Sequence, residues 1–242
     1  ITVGSTIAGV QTTQQQMGLN FGTYQADKAQ LVSSSRLAAT VSPDTASTGA
    51  GVLNGNTLVI NGVGIQAAIG SDDTASHESS TVDASSTKAS SAIAIAAAIN
   101  KSSALTGVTA KAEANVVAGK SFTAGAVTTI ELNGVTIDAT LESTSTREDV
   151  LSLFNAHTGE TGVIAEAYGD GIKLTAADGR NITLATDGDA AALGLDGVEV
   201  GAAGAGATHY AGVHLTSDKA FTVDSGSEGD NVNFKALGFT QG

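Results

Sequence analysis

The chain has 242 residues, no Cys, no Trp, one Met and only 4% aromatic residues. Its formal net charge of -13 argues against nucleic acid, which needs clustered Lys and Arg, and against an anionic membrane surface. Lack of Cys rules out disulfides and thiolate metal sites. Charged residues are 14% of the total, too few for a disordered polyelectrolyte. The core must therefore be built from Ala, Val, Ile, Leu and Thr. Each buries less area than a large ring, at about 25 cal/mol per Å², so thin layers of sheet on short helix are expected. No apolar run reaches membrane-spanning length, and no signal-peptide pattern is visible. The chain opens on Ile1, and the expectation is a piece of a longer protein.

Residues 1–51 begin with Ile1-Thr2-Val3, read as a strand. Gly18 to Tyr24 reads as extended, anchored by Phe21 and Tyr24. From Asp27 to Ala39, Ala29, Val32, Arg36 and Ala39 stand at helical spacing, although Ser33, Ser34 and Ser35 lower the propensity. Pro43 marks a turn, with Ser42 pushed to an extended conformation. The small polar residues from Asp44 read as a linker.

Thr57 to Ile60 reads as a strand, Asn61-Gly62 as a two-residue hairpin turn and Val63 to Ile69 as the return strand. Ser71 to Ser86 reads as an exposed polar loop. Lys88 to Asn100 follows as a helix with Ala92, Ile95, Ala96 and Ile99 on one face and Asn100 as its end. Gly107 to Ala114 alternates like a half-buried strand. The pattern then recurs. Thr129 to Leu132 is a strand, Asn133-Gly134 a turn and Val135 to Leu141 the return. Ser145 to Glu148 fits a capping box. Val150, Leu151 and Phe154 face inward, Asn155 ends the helix, and Gly162 to Ala167 is the next strand.

The two copies keep register. Asn100 to Gly107 and Asn155 to Gly162 are both seven residues, whereas Asn61 to Asn100 is 39 and Asn133 to Asn155 is 22. The 17-residue excess coincides with the polar loop, as an insertion between packed elements should. Beyond the second copy, Ile172 to Thr175 and Ile182 to Ala185 read as a hairpin around Asp178-Gly179. Residues 201–207 read as a Gly/Ala linker, Gly212 to Thr216 and Ala220 to Val223 as a further hairpin, and Asn231 to Phe234 as a short strand. The strand types of Ile1 to Val3 and Phe221 to Val223 match, so the two ends are expected to pair.

The candidate chemistry is thin. Gly62-x-Gly64-x-x-Ala67 mimics a dinucleotide fingerprint, but the second copy lacks the second glycine and no helix opens at Ala67. His77, His157, His209 and His214 make no metal spacing, although His209 and His214 could meet across a strand. Asp72-Asp73 and Asp187-Gly188-Asp189 are acidic loops that do not follow the twelve-residue calcium loop. Glu166 and Asp170 form a candidate carboxylate pair with nothing to place a substrate. No G-x-S-x-G elbow occurs. The Ser/Thr-rich loops are candidates for O-linked sugars. Sugar binding would need stacking rings, for which only Tyr24, Tyr168 and Tyr210 are available. No catalytic, cofactor-binding or metal residue is therefore assigned, and no cofactor is expected.

Leu58-Val59-Ile60-Asn61-Gly62, Ala98-Ile99-Asn100 and Gly107-Val108-Thr109-Ala110 together resemble the flagellin and hook-associated "IN" motif. The second copy reads Leu132-Asn133-Gly134, Phe154-Asn155 and Gly162-Val163-Ile164-Ala165, departing by Phe154 for Ile and Ile164 for Thr. Val213 to Lys219 is similar to the strand and turn that close flagellin outer regions, so the resemblance covers roughly residues 52–240. The long heptad helices of a flagellin filament core are missing. The resemblance implies the outward-facing central region of a bacterial flagellin, a structural protein with no enzymatic role on the extracellular filament surface. Its partners would be other flagellin subunits, engaged through terminal helices absent from this chain, with no nucleic acid and no membrane. Filament-cap and hook-filament junction proteins carry the same motif and stand as alternatives, as does a carbohydrate- or host-binding adhesin module. The expected fold is α+β: two small antiparallel-sheet-plus-helix modules, 52–126 and 127–200, inserted in a β-rich base formed by 1–51 and 201–242.

Overall fold

The computed structural model describes residues 6–7, 10–11, 29–32, 51–78, 87–227, 232–239 and 241–242. The fold is α+β and rich in strand. Strands β1 (Thr6–Ile7) and β2 (Val10–Gln11) pair antiparallel. β3 (Ala29–Val32) is a strand, where the spacing of Ala29 and Val32 predicts helix. A weak serine-diluted helical signal yields to pairing along one side with β15 (Val213–Ser217). The expected elements at Ile1 to Val3, Gly18 to Tyr24 and Pro43 lie outside the described residues.

The first copy opens with β4 (Leu58–Ile60) and β5 (Val63–Gly64), joined by Asn61-Gly62. Both turn residues have positive φ, 50° and 78°, the pair of values that matches the twist of a two-residue hairpin. The return strand is shorter than expected. Regular strand ends at Gly64, but the amides of Ile65 and Ala68 still bond back to Leu58 and Leu53 while their side chains are buried. Helix α1 (Ala92–Lys101) is capped by Ser91, whose hydroxyl accepts from the Ala94 amide at 3.1 Å. Ala92, Ala94, Ile95, Ala96, Ala98 and Ile99 are all buried, so the helix is covered on more than one face; its alanines let neighbours approach closely. A single turn, α2 (Ser103–Thr106), follows and ends at Gly107 with φ 69°, the left-handed stop that glycine adopts without strain. The chain continues into β6 (Val108–Ala112) and β7 (Asn115–Ala118).

The second copy repeats this plan. β8 (Val127–Leu132) and β9 (Val135–Leu141) flank Asn133-Gly134, whose φ values of 49° and 78° reproduce the first turn. Helices α3 (Arg147–Ala156) and α4 (Thr158–Thr161) end at Gly162, φ 72°. The capping box lies one residue later than the sequence predicts. Thr146 and Asp149 form it, because the Ser145 hydroxyl is already engaged by the Glu142 amide at 2.9 Å. Thr146→Ala should therefore cost about 1 kcal/mol, whereas Glu148→Ala should change stability little, since its exposed pair with Arg147 is worth almost nothing. Urea unfolding of the two variants separates these outcomes.

After β10 (Ile164–Tyr168) and β11 (Gly171–Ala176), the expected hairpin with β12 (Ile182–Thr186) does not form. β11 lies between β10 and β7, while β12 pairs with β8 in another sheet. All five residues of β12 are buried, and a strand buried on both faces belongs in a sheet interior. Its further partners are β13 (Gly201–Ala202) and β14 (Ala207–His209), so the expected Gly/Ala linker supplies strand residues. β15 (Val213–Ser217) and β16 (Val223–Ser225) likewise do not pair with each other. β15 joins β6 and β3, and β16 joins β4. Asn231 to Phe234, expected as strand, is replaced by helix α5 (Val232–Ala236), which turns Phe234 towards Phe239 with ring centroids 6.2 Å apart.

Burial falls into two clusters. The first combines Leu58, Ile60, Ile95, Ile99 and Val108 with Leu215, Val223, Phe234 and Phe239. The second runs from Val117 to Leu195 and includes Phe154 with Ile130, Leu132, Ile137, Ile172 and Leu174. Of the helix face expected inward, Val150 and Phe154 are fully buried and Leu151 is half-buried.

Candidate functional site

Four asparagines, two per copy, carry the most specific side-chain chemistry of the fold. Asn61 and Asn133 do more than fill a turn. The Asn61 amide nitrogen donates to the Thr106 carbonyl at 2.7 Å, and its oxygen accepts from the Thr222 amide at 2.9 Å. Asn133 does the same with the Thr161 carbonyl at 2.9 Å and the Thr183 amide at 2.8 Å. Each side chain thus ties its hairpin to the corner before the Gly-Val strand and to a third strand. Asn100 and Asn155, expected to end their helices, instead face across to the next strand. Asn100 makes a reciprocal pair with the Ala110 backbone at 2.8 and 2.7 Å, and Asn155 with Ala165 at 2.9 and 2.8 Å.

The corner threonines complete the pattern. The Thr106 hydroxyl donates to the Ser102 carbonyl and accepts from Val108, and Thr161 does so with His157 and Val163. Sequence reading missed these partners, although Thr-Gly-Val stands at the corner of both copies. The third strands are the hardest to foresee, because Thr222 and Thr183 lie at different distances from their hairpins.

The polar loop of the first copy is not simply exposed. Asp73 and Ser76 are buried, and the Asp73 carboxylate accepts from the amides of Ala75 and Ser76. The Asn181 amide donates to the Ser76 hydroxyl at 2.9 Å, and its side chain donates to the Thr87 carbonyl at 3.1 Å. The His77 ring covers Gly134, so that any added Cβ there would collide with it. The loop therefore seats the first copy on the second. Residues 79–86 lie outside the described set.

The other candidates are spent on structure. In the Gly62–Ala67 stretch the Ile65 amide is bonded to Leu58 and that of Ala68 to Leu53, which fits a closing ladder rather than a phosphate cradle. Asp72 pairs with Lys101 at 2.5 Å. Asp187 accepts from the Thr128 hydroxyl and from the Thr128 and Thr129 amides, which together hold its carboxyl below the usual range. Asp189 accepts from the Ala191 amide at 3.0 Å. Glu166 pairs with Lys173 across β10 and β11 at 2.9 Å, and Asp170 sits in a bridge to Ser121. Among the described residues no three His, Asp or Glu side chains converge on a metal position. His157 lies 3.2 Å from Glu160, and His214 lies 3.8 Å from Glu113. His209 and His214 belong to different sheets. Tyr210 is buried, Tyr168 is exposed, and Tyr24 lies outside the described residues.

His209 has a measurable consequence. Burial lowers its pKa, outweighing the Glu199 carbonyl that its ring meets at 2.9 Å and the Glu199 charge. The unfolded chain then binds a proton at higher pH than the folded one. Stability contributed by neutral His209 is present above the unfolded value, about 6.5, and declines as pH falls through it towards the lower folded value. Unfolding midpoints measured between neutral and mildly acidic pH should fall for the native chain and fall less for His209→Gln.

Two curated proteins are similar to this chain. Flagellin A of Helicobacter pylori (strain ATCC 700392 / 26695) is 31% identical over 156 residues, covering 60% of this chain and 30% of that protein. Flagellin A of Helicobacter mustelae is 30% identical over 160 residues, covering 60% of this chain and 32% of that protein. The chain thus spans less than a third of the length of the curated relatives it matches. No family model matches it. The two similarities support a flagellin-related protein.

Proposed function

We propose that this chain is an outward-facing structural region of a bacterial flagellar filament subunit, exposed on the extracellular filament and serving motility without catalysis. The observation that carries the reading is the similarity to two flagellins over 60% of the chain. What supports it further is where the polar chemistry goes. The asparagines and acidic loops are bonded to backbone within the fold, as befits a scaffold. Assembly with neighbouring subunits is assigned to terminal helices outside this chain. Among the described residues no helix is long and apolar enough to cross a membrane.

The domain plan we propose has two related units. One is built around the second core. The other joins residues 51–112 to the strands β15 and β16 and to α5. The β3–β15 pairing supports a base in which an N-terminal strand meets a C-terminal one.

The chain has no Cys, which makes the test simple. A single cysteine replacing exposed Ser152 in the full-length parent is treated on intact cells with a membrane-impermeant maleimide. Labelling along the whole filament supports the proposal. Labelling only at the tip or at the hook end would transfer the chain to a cap or junction protein, and no surface labelling would overturn an extracellular role.

A further inference from the structure

We infer that Asn61 and Asn133, two of the three Asn-Gly pairs of the chain beside Asn54-Gly55, are deamidation sites of matched chemistry but unequal access, with Asn61 the faster of the two in the folded protein. Both stand in the same local sequence, Asn-Gly-Val. Their intrinsic reactivity in an unfolded chain is therefore the same, and any difference between them is made by the fold.

In the reaction, the backbone nitrogen of the following glycine attacks the side-chain Cγ of the asparagine. A new N–Cγ bond forms as that nitrogen loses its proton. The Cγ–Nδ2 bond breaks and ammonia leaves, giving a five-membered succinimide. Water then opens the ring at either carbonyl, yielding aspartate or, with the main chain rerouted through the side chain, isoaspartate. The sum is amide plus water going to carboxylate plus ammonium. Glycine promotes the first step because it lacks a Cβ to shield its nitrogen.

Both side chains are held in place by the pairs of bonds described above, so attack requires local opening, and the rate follows its free energy. The openings differ in cost. Asn61 is exposed, and nothing lies within 4 Å of an added Cβ at Gly62. Its bond from Thr222 is also exposed. Asn133 is only 9% exposed, both of its side-chain bonds are buried, and the His77 ring packs on one side of Gly134, which is itself exposed. The side-chain amide is thus open to water at the first turn and buried at the second.

Conversion also works against the fold that slowed it. At Asn61 the Nδ2 donor 2.7 Å from the Thr106 carbonyl becomes a carboxylate oxygen. Two acceptors then face each other, and the bond is replaced by repulsion. The hairpin is released from the corner at Thr106, and the change is not reversed by refolding.

Peptide mapping by mass spectrometry during prolonged incubation at neutral pH tests this on the unmodified protein. In the folded state Asn61 should convert at least about tenfold faster than Asn133, equivalent to about 1.4 kcal/mol of extra opening cost. In denaturant the two rates should become equal. His77→Gly should accelerate Asn133 without changing Asn61. Equal folded rates, faster conversion at Asn133, a rate ratio that persists in denaturant, or an Asn61 that stays intact while the denatured chain converts would each overturn the inference.

Discussion

Phe154→Ala should destabilise the second core by about 3–5 kcal/mol. Phe154 is fully buried, and it is the one aromatic ring among buried members that are otherwise Val, Ile, Leu and Ala, with half-buried Phe122 packed against the cluster. Small neighbours on short strands cannot swing in to refill a ring-sized void, because their side chains have little reach. Phe154→Ile restores the residue found at the equivalent place in the first copy, Ile99, and should recover part of the loss. Guanidinium unfolding followed by circular dichroism measures both variants. Two separate transitions are expected if the two cores melt independently, and only the one containing Phe154 should move. A single transition that is unmoved by Phe154→Ala would contradict the assignment of this ring to a packed core.

Asn133→Ala should cost about 3–5 kcal/mol, against about 1–3 for Asn61→Ala. In the second copy the change leaves the Thr183 amide and the Thr161 carbonyl short of a buried partner, at about 1–3 kcal/mol for each unsatisfied group. The Thr161 carbonyl retains a long contact from Arg180 at 3.3 Å, which keeps the cost of the lost bonds at about 2–3 kcal/mol. The alanine must also hold φ near 49°, a further cost of about 1–2 kcal/mol. The backbone cost applies equally to Asn61, φ 50°, but there the Thr222 amide is left in solvent and the Thr106 carbonyl is only partly covered. Glycine in place of each asparagine removes the backbone strain and leaves only the lost bonds. The gap between the two glycine variants, read by thermal unfolding, therefore isolates the effect of burial. Equal losses at the two sites would show that the bonds contribute the same in and out of solvent, against expectation.

Much of each repeat was legible from sequence because its determinants are local. Asn-Gly between apolar runs predicts a tight hairpin, and both turns have the expected positive φ. Val135 to Leu141 alternates in sequence and alternates in burial. The spacing from Asn100 to Gly107 and from Asn155 to Gly162 reflects one shared corner. What failed was long-range. Nothing near Ile182 says that its strand will pair with Leu132 rather than with its neighbour in sequence, and nothing near Val213 points to Ala112. Strand partners are chosen by the burial of whole faces, which a local pattern does not encode. Ala29–Val32 failed for the same reason, since a sheet edge overrode a weak helical spacing. The roles of the four asparagines were half legible: their recurrence was plain, but a turn or helix-end reading uses only the backbone and ignores what the amide can hold.

The position of the second copy between β6 and β15 has a consequence for the order in which the molecule assembles. The bond from Thr222 to Asn61 joins residues 161 apart, whereas its counterpart from Thr183 to Asn133 spans 50. Closing the longer loop costs more chain entropy, and strongly non-local pairings slow folding. The second unit can finish while the first still waits for its last two strands. During that interval the apolar faces of β4 and α1 lack Leu215 and Val223 to cover them, and the edge of β4 offers unpaired amides to any neighbour. A chain emerging from its N-terminal side carries this unfinished sheet until residues 213–225 arrive. Aggregation pressure therefore falls on the earliest part of the repeat rather than on the latest, and the five alanines set between the isoleucines of α1 limit how adhesive that waiting surface is.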